Sequence, residues 1–415
     1  MSLLSSLARR GTLGRLARLT RGHLVVREGD QTVHAGDPAA APVTIHVHDA
    51  RFHEAVAFGG AVGAGEAYAA GWWSSDDLTG VIRLMLRNRE ALDTLEGGTA
   101  SLAGGLRRVL HRLNANSRRG ARRNIRAHYD LGNDFFQLLL DETLTYSCAL
   151  FDRPDRTLAE ASVAKYDRIA RLLDLRPSDH LLEIGTGWGG FAMHAASRYG
   201  CRVTTTTISR AQRSLAEQRV RAAGLHDRVT ILGVDYRDLR GTYDKLASIE
   251  MIEAIGHDQY PVFYRQCARL LAPRGRAVIQ AITIADERYE AARREVDFIK
   301  RYIFPGSCIP SRAALATAAA GSGLTLVQAD EIGLHYAETL RRWRGNLFAN
   351  RDRIAALGYD DRFQRLWEFY LCYCEGGFLE RAIGTAQLTY ALDRASVTVP
   401  LPVATVPPAP AERAA

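Results

Sequence analysis

A doubly wound α/β fold with a small α+β domain ahead of it is what this sequence predicts, on three observations. From about His128 onward, β-branched apolar runs alternate with helical stretches. A glycine-rich turn, "GTGWGG", joins one of those runs to the helix after it. The region before about Leu106 has another texture, with short strand-like runs among Gly- and Ala-rich turns.

Taken in order, Met1 to Gly22 alternates Leu3, Leu7, Leu13 and Leu16 with Arg9, Arg10, Arg15, Arg18 and Arg21. The arginines break the apolar run that an export signal needs, and the pattern suits a short basic amphipathic helix on an anionic membrane surface. Val43 to Val47 reads as a strand, and the segment from Leu78, "LTGVIRLMLRNREALDTL", as a helix. A basic stretch from Leu106 to Arg126 follows, carrying eight arginines: Arg107, Arg108, Arg112, Arg118, Arg119, Arg122, Arg123 and Arg126. Strands are then expected at "HLLEI", "CRVTTTTI", "RVTILGV", "KLASIEMI" and "RAVIQAITI", with helices beginning near Phe191 and ending near Ala223. Such runs, separated by helices, imply a parallel sheet covered on both faces. The division expected is a lipid-docking domain over 1–105, a connector over 106–127, a main domain over 128–396 and a disordered Pro/Ala-rich tail over 397–415.

Composition narrows the class. With 47% apolar and 24% charged residues the chain suits a globular enzyme, and it has no apolar run of the ~20 residues that span a bilayer. Its net charge of +8 calls for an anionic partner, without choosing among phospholipid, nucleic acid and a small anion. Six cysteines without a CxxC pair suit free thiols in a reducing cytoplasm.

The glycine turn is the candidate ligand site. Gly185, Gly187, Gly189 and Gly190 at a strand-to-helix junction allow close approach to the backbone, a device shared by several nucleotide cofactors. A dinucleotide site places an acid at the end of the second strand, where this chain has Thr207 and Ile208. No phosphate-loop GK[ST] follows the turn, and Glu183 stands two residues before its first glycine. These features favour S-adenosylmethionine.

From about Asn124 to Leu392 the sequence resembles the cyclopropane-fatty-acyl-phospholipid synthase family, which includes the mycolic acid cyclopropane synthases. The resemblance rests on "HYDLGNDFFQLLLDETLTYSCALF", "LLEIGTGWGG", "TISRAQ", "DYRDL", "SIEMIEAIG", "RYIFPGSCIPS" and "YLCYCEGGF". It implies a Rossmann-like class I methyltransferase sheet. For the cofactor it implies contacts from Tyr146, Ser147, Glu183, Gly185, Thr186, Gly187, Trp188, Gly189, Thr207, Ile208, Gln212, Tyr236 and Arg237. The N-terminal region is similar to a domain found in the phospholipid-acting members, which points to phospholipid acyl chains as substrate.

The implied chemistry is methylene transfer to a cis double bond, giving a cyclopropane ring through a carbocation. The resemblance implies a bound bicarbonate ion as base, held by Cys148, Glu253, Gln280, Tyr336 and the backbone of Ile282. Family members often carry His where this chain has Gln280. Cys374 matches a cysteine often given as an active-site residue, and Glu253 ranks above it. Glu250 lies close by, and the resemblance aligns Glu253 instead. Tyr302, Phe304, Trp343 and Phe369 are candidates for an acyl channel. The rival product is a methyl-branched or methylene chain. A homodimer, no nucleic-acid partner, and a cytoplasmic location at the inner face of the membrane complete the expectations.

Overall fold

The computed structural model describes residues 3–93 and 131–392. The arginine-rich stretch and the Pro/Ala-rich tail therefore lie outside the described residues. The chain forms two compact units, and they are not the linear segments the sequence suggests. Among the described residues, one takes in 3–93, 294–305 and 343–382, and the other takes in 131–293, 306–342 and 383–392.

The first unit begins with α1 (Leu3–Leu16), then β1 (His23–Glu28), β2 (Gln31–Gly36) and β3 (Pro42–Val47), α2 (Arg51–Ala69), β4 (Trp73–Ser75), α3 (Leu78–Arg87) and α4 (Arg89–Asp93). Its four strands lie in the order β2-β1-β3-β4, with only the β1–β3 pair parallel. The stretch expected as Gly- and Ala-rich turns is instead α2, broken only at Gly60, where φ is 56°. Packing explains the departure. A Cβ at Gly65 would lie 2.5 Å from Phe298 and 2.8 Å from Phe369, so small residues let this helix approach its neighbours. The helix Asp361–Leu379 belongs to the same unit and comes close to α3, since a Cβ at Gly376 would lie 2.7 Å from Ile82. This contact is why the late segment joins the early one: each covers the other's apolar face.

The first helix forms, and its leucines are only partly turned inward, with Leu13 and Leu16 half-buried. Ala8 and Thr12 are buried, Thr12 donates to the His53 carbonyl at 3.1 Å, and Leu7 stays exposed. Of the channel candidates, Trp343 and Phe369 are core residues of this unit. Tyr302 and Phe304 belong to it as well.

The second unit runs through α5 (Gly132–Leu139), α6 (Leu158–Leu173), β5 (His180–Ile184), α7 (Gly190–Arg198), β6 (Arg202–Thr206), α8 (Arg210–Ala222) and β7 (Val229–Leu232). It continues with β8 (Tyr243–Ile249), α9 (Tyr260–Leu270), β9 (Leu271–Ile284), α10 (Asp286–Arg294), α11 (Arg312–Ala319), β10 (Thr325–Glu331), α12 (Gly333–Ala349) and β11 (Ile383–Ala391). Its seven strands lie in the order β10-β11-β9-β8-β5-β6-β7. Strands β9, β8, β5, β6 and β7 are parallel neighbours, and β11 joins β9 and β10 antiparallel. The five expected strands are all present, and the antiparallel pair β10 and β11 adds to them. The core on one face gathers Leu182, Leu246, Ile279 and Phe263; that on the other gathers Leu181, Val203, Val278 and Phe191. This is the doubly wound arrangement, and its ligand crevice lies at the carboxyl ends of the parallel strands.

Candidate active site

The glycine turn leaves β5 at that carboxyl end. The amides of Gly185 and Thr186 both donate to the Thr206 carbonyl at 3.1 Å, which ties the turn to β6. Gly187 has φ 51°, and a Cβ placed there would meet no atom of the described residues within 4 Å. Among those residues it is the backbone conformation, not crowding, that asks for glycine there.

Around the turn the expected residues gather. Phe136 packs its ring 5.3 Å from Tyr146 and 4.9 Å from Trp188. Ser147 accepts a hydrogen bond from Lys165 Nζ at 2.7 Å. At the end of β6, Thr207 Oγ1 donates to Gln212 Oε1 at 2.9 Å, next to half-buried Ile208. After β7, Asp235 accepts from the Arg237 guanidinium at 2.7 Å and fixes its orientation. The buried Tyr236 hydroxyl has no hydrogen-bond partner among the described residues. A turn uncrowded among the described residues, an aromatic wall and an unpartnered buried hydroxyl fit a cofactor with a base, a ribose and an amino-acid end. Glu183 is turned inward: it accepts from Thr205 Oγ1 at 2.6 Å, and burial pushes its pKa up to about 8.

A Cβ at Gly185 would touch Met251 at 3.4 Å, so the segment after β8 lies against the turn. That segment carries two acids. Glu253 Oε1 accepts the Ile282 amide at 2.5 Å, while its buried Oε2 has no hydrogen-bond partner among the described residues. Burial, and then the nearby Glu250 charge, push the Glu253 pKa up to about 8.

Glu250 is the acid that the sequence reading set aside in favour of Glu253. Its Oε1 accepts the Cys148 amide at 2.9 Å and the Gln280 Nε2–H at 2.7 Å, and its Oε2 accepts the Tyr336 hydroxyl at 2.7 Å. The sequence reading set Glu253 among Cys148, Gln280 and Tyr336, whereas in the structure Glu250 receives their hydrogen bonds. Burial raises the Glu250 pKa, and these three donors and the Lys165 charge oppose the rise. Its φ is 50°, a left-handed conformation that costs a non-glycine residue about 1–3 kcal/mol. One signal pointed here: two acids three residues apart, directly after a strand.

Gln280 does not act alone. Its Oε1 accepts from Gln387 Nε2 at 3.0 Å, and Gln387 Oε1 accepts from Arg168 Nε at 2.9 Å. Arg168 in turn pairs with Asp330 at 2.7 Å. Because the Gln280 oxygen is committed to Gln387, its amide N–H must face Glu250. Lys165, fully buried, has its pKa lowered to about 8 by burial, with Glu250 the first of the nearby charges opposing the shift. The Cys148 thiol points at the Ile332 carbonyl, 3.7 Å away, and burial pushes its pKa well up, so that thiol stays protonated. Cys374 belongs to the first unit, where burial also raises its pKa.

Residues 116–388 match the family model for mycolic acid cyclopropane synthetase. The chain belongs to that family. It is accordingly an S-adenosylmethionine-dependent methyltransferase of lipids, of the cyclopropane and methyl transferase group. A tuberculostearic acid methyltransferase of Mycobacterium tuberculosis is 40% identical to it over 90% of each chain. The cyclopropane-fatty-acyl-phospholipid synthase of Escherichia coli is 35% identical, over 85% of this chain and 88% of the relative. Among solved structures, a mycolic acid cyclopropane synthase complexed with SAH and CTAB superposes with a TM-score of 0.62 at 34% identity, over 65% of this chain and 98% of the other.

Proposed function

We propose that this enzyme methylates the cis double bond of unsaturated acyl chains carried on phospholipid, and that proton loss from the transferred carbon leaves a methylene branch. The acid pair Glu250 and Glu253, set against the glycine turn at the strand ends, carries the reading: a site that makes a carbocation beside the cofactor needs a proton acceptor there. S-adenosylmethionine supplies the electrophilic methyl group. Tyr146, Trp188 and the turn would hold it, with Tyr236 and Gln212 toward its nucleoside end.

The substrate class rests on coverage. Relatives matched over 85% or more of this chain are named for tuberculostearic acid and for phospholipid. A relative named for mycolic acid matches only 64% of it. The branched product is favoured over a ring because the relative matched over 90% of both chains is named for methyl transfer. The same reading puts the enzyme in the cytoplasm at the inner face of the membrane, as a homodimer, with the arginines between Arg107 and Arg126 on anionic headgroups. Among the described residues, no helix is long and apolar enough to cross a membrane.

The test is incubation of the full chain with oleoyl phospholipid vesicles and S-adenosylmethionine deuterated on its methyl group. The product should retain two of the three deuterium atoms and should be cleaved by ozone at the new branch. Retention of all three would exclude proton loss from that carbon, and resistance to ozone would identify a ring.

A further inference from the structure

The geometry points to Glu250 as the built-in anion and proton acceptor of this site, in the place where the family resemblance seats a free bicarbonate ion. The inference rests on the methyl transfer proposed above and adds what ends the reaction.

Three observations carry it. First, the donor set is engaged. Of the groups the resemblance assigns to the ion, the Cys148 amide, the Gln280 amide and the Tyr336 hydroxyl all donate to the Glu250 carboxylate, at 2.9, 2.7 and 2.7 Å. A second anion would have to displace a carboxylate from these donors or sit against its charge. Second, the donors are fixed in that direction. The Cys148 amide is backbone, and the Gln280 amide is aimed by Gln387, Arg168 and Asp330 behind it. Third, the backbone is bent to present this side chain. Glu250 takes a positive φ at the end of β8, and its amide donates to the Gln280 carbonyl at 2.8 Å. A conformation that glycine adopts freely is here occupied by an acid.

The neighbouring Glu253 is poorly suited to the same task. Its pKa of about 8 keeps it largely protonated at neutral pH, so it neither accepts the proton nor competes as an anion. Burial raises the Glu250 pKa as well, but its three donors and the Lys165 charge favour the ionised form, and the residue as a whole is only half-buried.

The step balances without a further reagent. The methyl–sulfur bond breaks as the methyl carbon bonds to one alkene carbon, leaving the adjacent carbon cationic. A 1,2-hydride shift moves the cation to the carbon that bears the new methyl. The Glu250 carboxylate then takes a proton from that methyl, and the C–H electron pair becomes the C=C bond of the branch.

The variant Glu250→Gly tests this, because glycine suits the local φ and its removal of the carboxylate leaves the donors free. Turnover is read as S-adenosylhomocysteine formed on oleoyl phospholipid vesicles, in carbon-dioxide-depleted buffer with and without added bicarbonate. Calorimetric affinity for S-adenosylmethionine confirms that each variant is folded. The wild type should be indifferent to bicarbonate. Glu250→Gly should lose about 100-fold or more in depleted buffer and regain at least about 10-fold when bicarbonate refills the vacated donors. Glu250→Gln, which fills the same space without a basic oxygen pair, should be as slow and should not be rescued. Loss of wild-type turnover on depletion would overturn the inference. So would full turnover of Glu250→Gly in depleted buffer, or a Glu250→Gly loss that neither bicarbonate nor formate restores. A wild type that forms no S-adenosylhomocysteine in either buffer would instead defeat the methyl-transfer reading itself.

Discussion

Arg168 Nη2 lies 2.7 Å from Asp330 Oδ2, and both side chains are almost wholly withdrawn from water. Removing one partner strands the other as an uncompensated buried charge, which costs about 3–5 kcal/mol. Asp330→Ala should therefore lower the unfolding free energy, measured by chemical denaturation, by that amount. It should also lower turnover more than Asp330→Asn, which keeps an acceptor for the guanidinium. Equal effects of the two variants on turnover would show that Arg168 does not aim Gln280.

Stability should fall as pH rises from about 4.5 to about 8, the window between the ordinary carboxyl value and the raised values of Glu183 and Glu253. In that window the unfolded chain has released these protons while the folded chain still holds them, so the folded state binds more protons and loses stability with pH. Glu253→Gln removes one of these contributions, leaving those of Glu183 and of Glu250, whose pKa burial also raises, and should make the slope shallower. Chemical denaturation at intervals across the range measures it, and an unchanged slope would assign the effect to other groups.

Gly187 has φ 51°, and among the described residues nothing lies within 4 Å of a Cβ placed there. Valine there would project into that space and strain the turn. Gly187→Val should bind S-adenosylmethionine at least about 10-fold more weakly, a loss of about 1.4 kcal/mol or more, with an unchanged circular dichroism spectrum. Calorimetry giving wild-type affinity would remove the turn from the cofactor site.

The arginines between Arg107 and Arg126 give a test of membrane docking. Each basic residue at an anionic surface contributes about 1 kcal/mol, so replacing four with Gln should weaken vesicle binding by about 100-fold or more at low salt. The difference should shrink as salt screens the surface. Equal binding by both proteins to anionic vesicles would exclude this segment.

The parallel strands β5 to β9 were legible because their centres are apolar or β-branched runs bounded by turn residues, most of them buried on both faces. β10 and β11 were harder. Their sequences, "TLVQADE" and "IGTAQLTYA", carry polar residues such as Gln328, Asp330 and Gln387, which read as surface until the buried chain from Gln280 to Asp330 accounts for them. The helix at Arg51–Ala69 was hidden by its glycines, whose use is close packing that only the neighbours reveal. In the site, the glycine turn and the names of the donors were readable from motifs. Which acid they serve was not, because Glu250 and Glu253 differ by a backbone twist at Glu250 that no residue spacing encodes.

The interior place of β11 also sets an order of events during synthesis. Gln387, which orients Gln280, stands on the last strand of the described chain, yet that strand pairs with β9 near the middle of the sheet. While the ribosome still holds residues 383–391, β9 lacks one of its two neighbours and the amide at Gln280 is free to turn either way. A nascent chain can thus assemble the glycine turn and the strands beside it early. The corner around Glu250 is completed only once residues 383–391 have joined the sheet beside β9, after the glycine turn has its own strands in place.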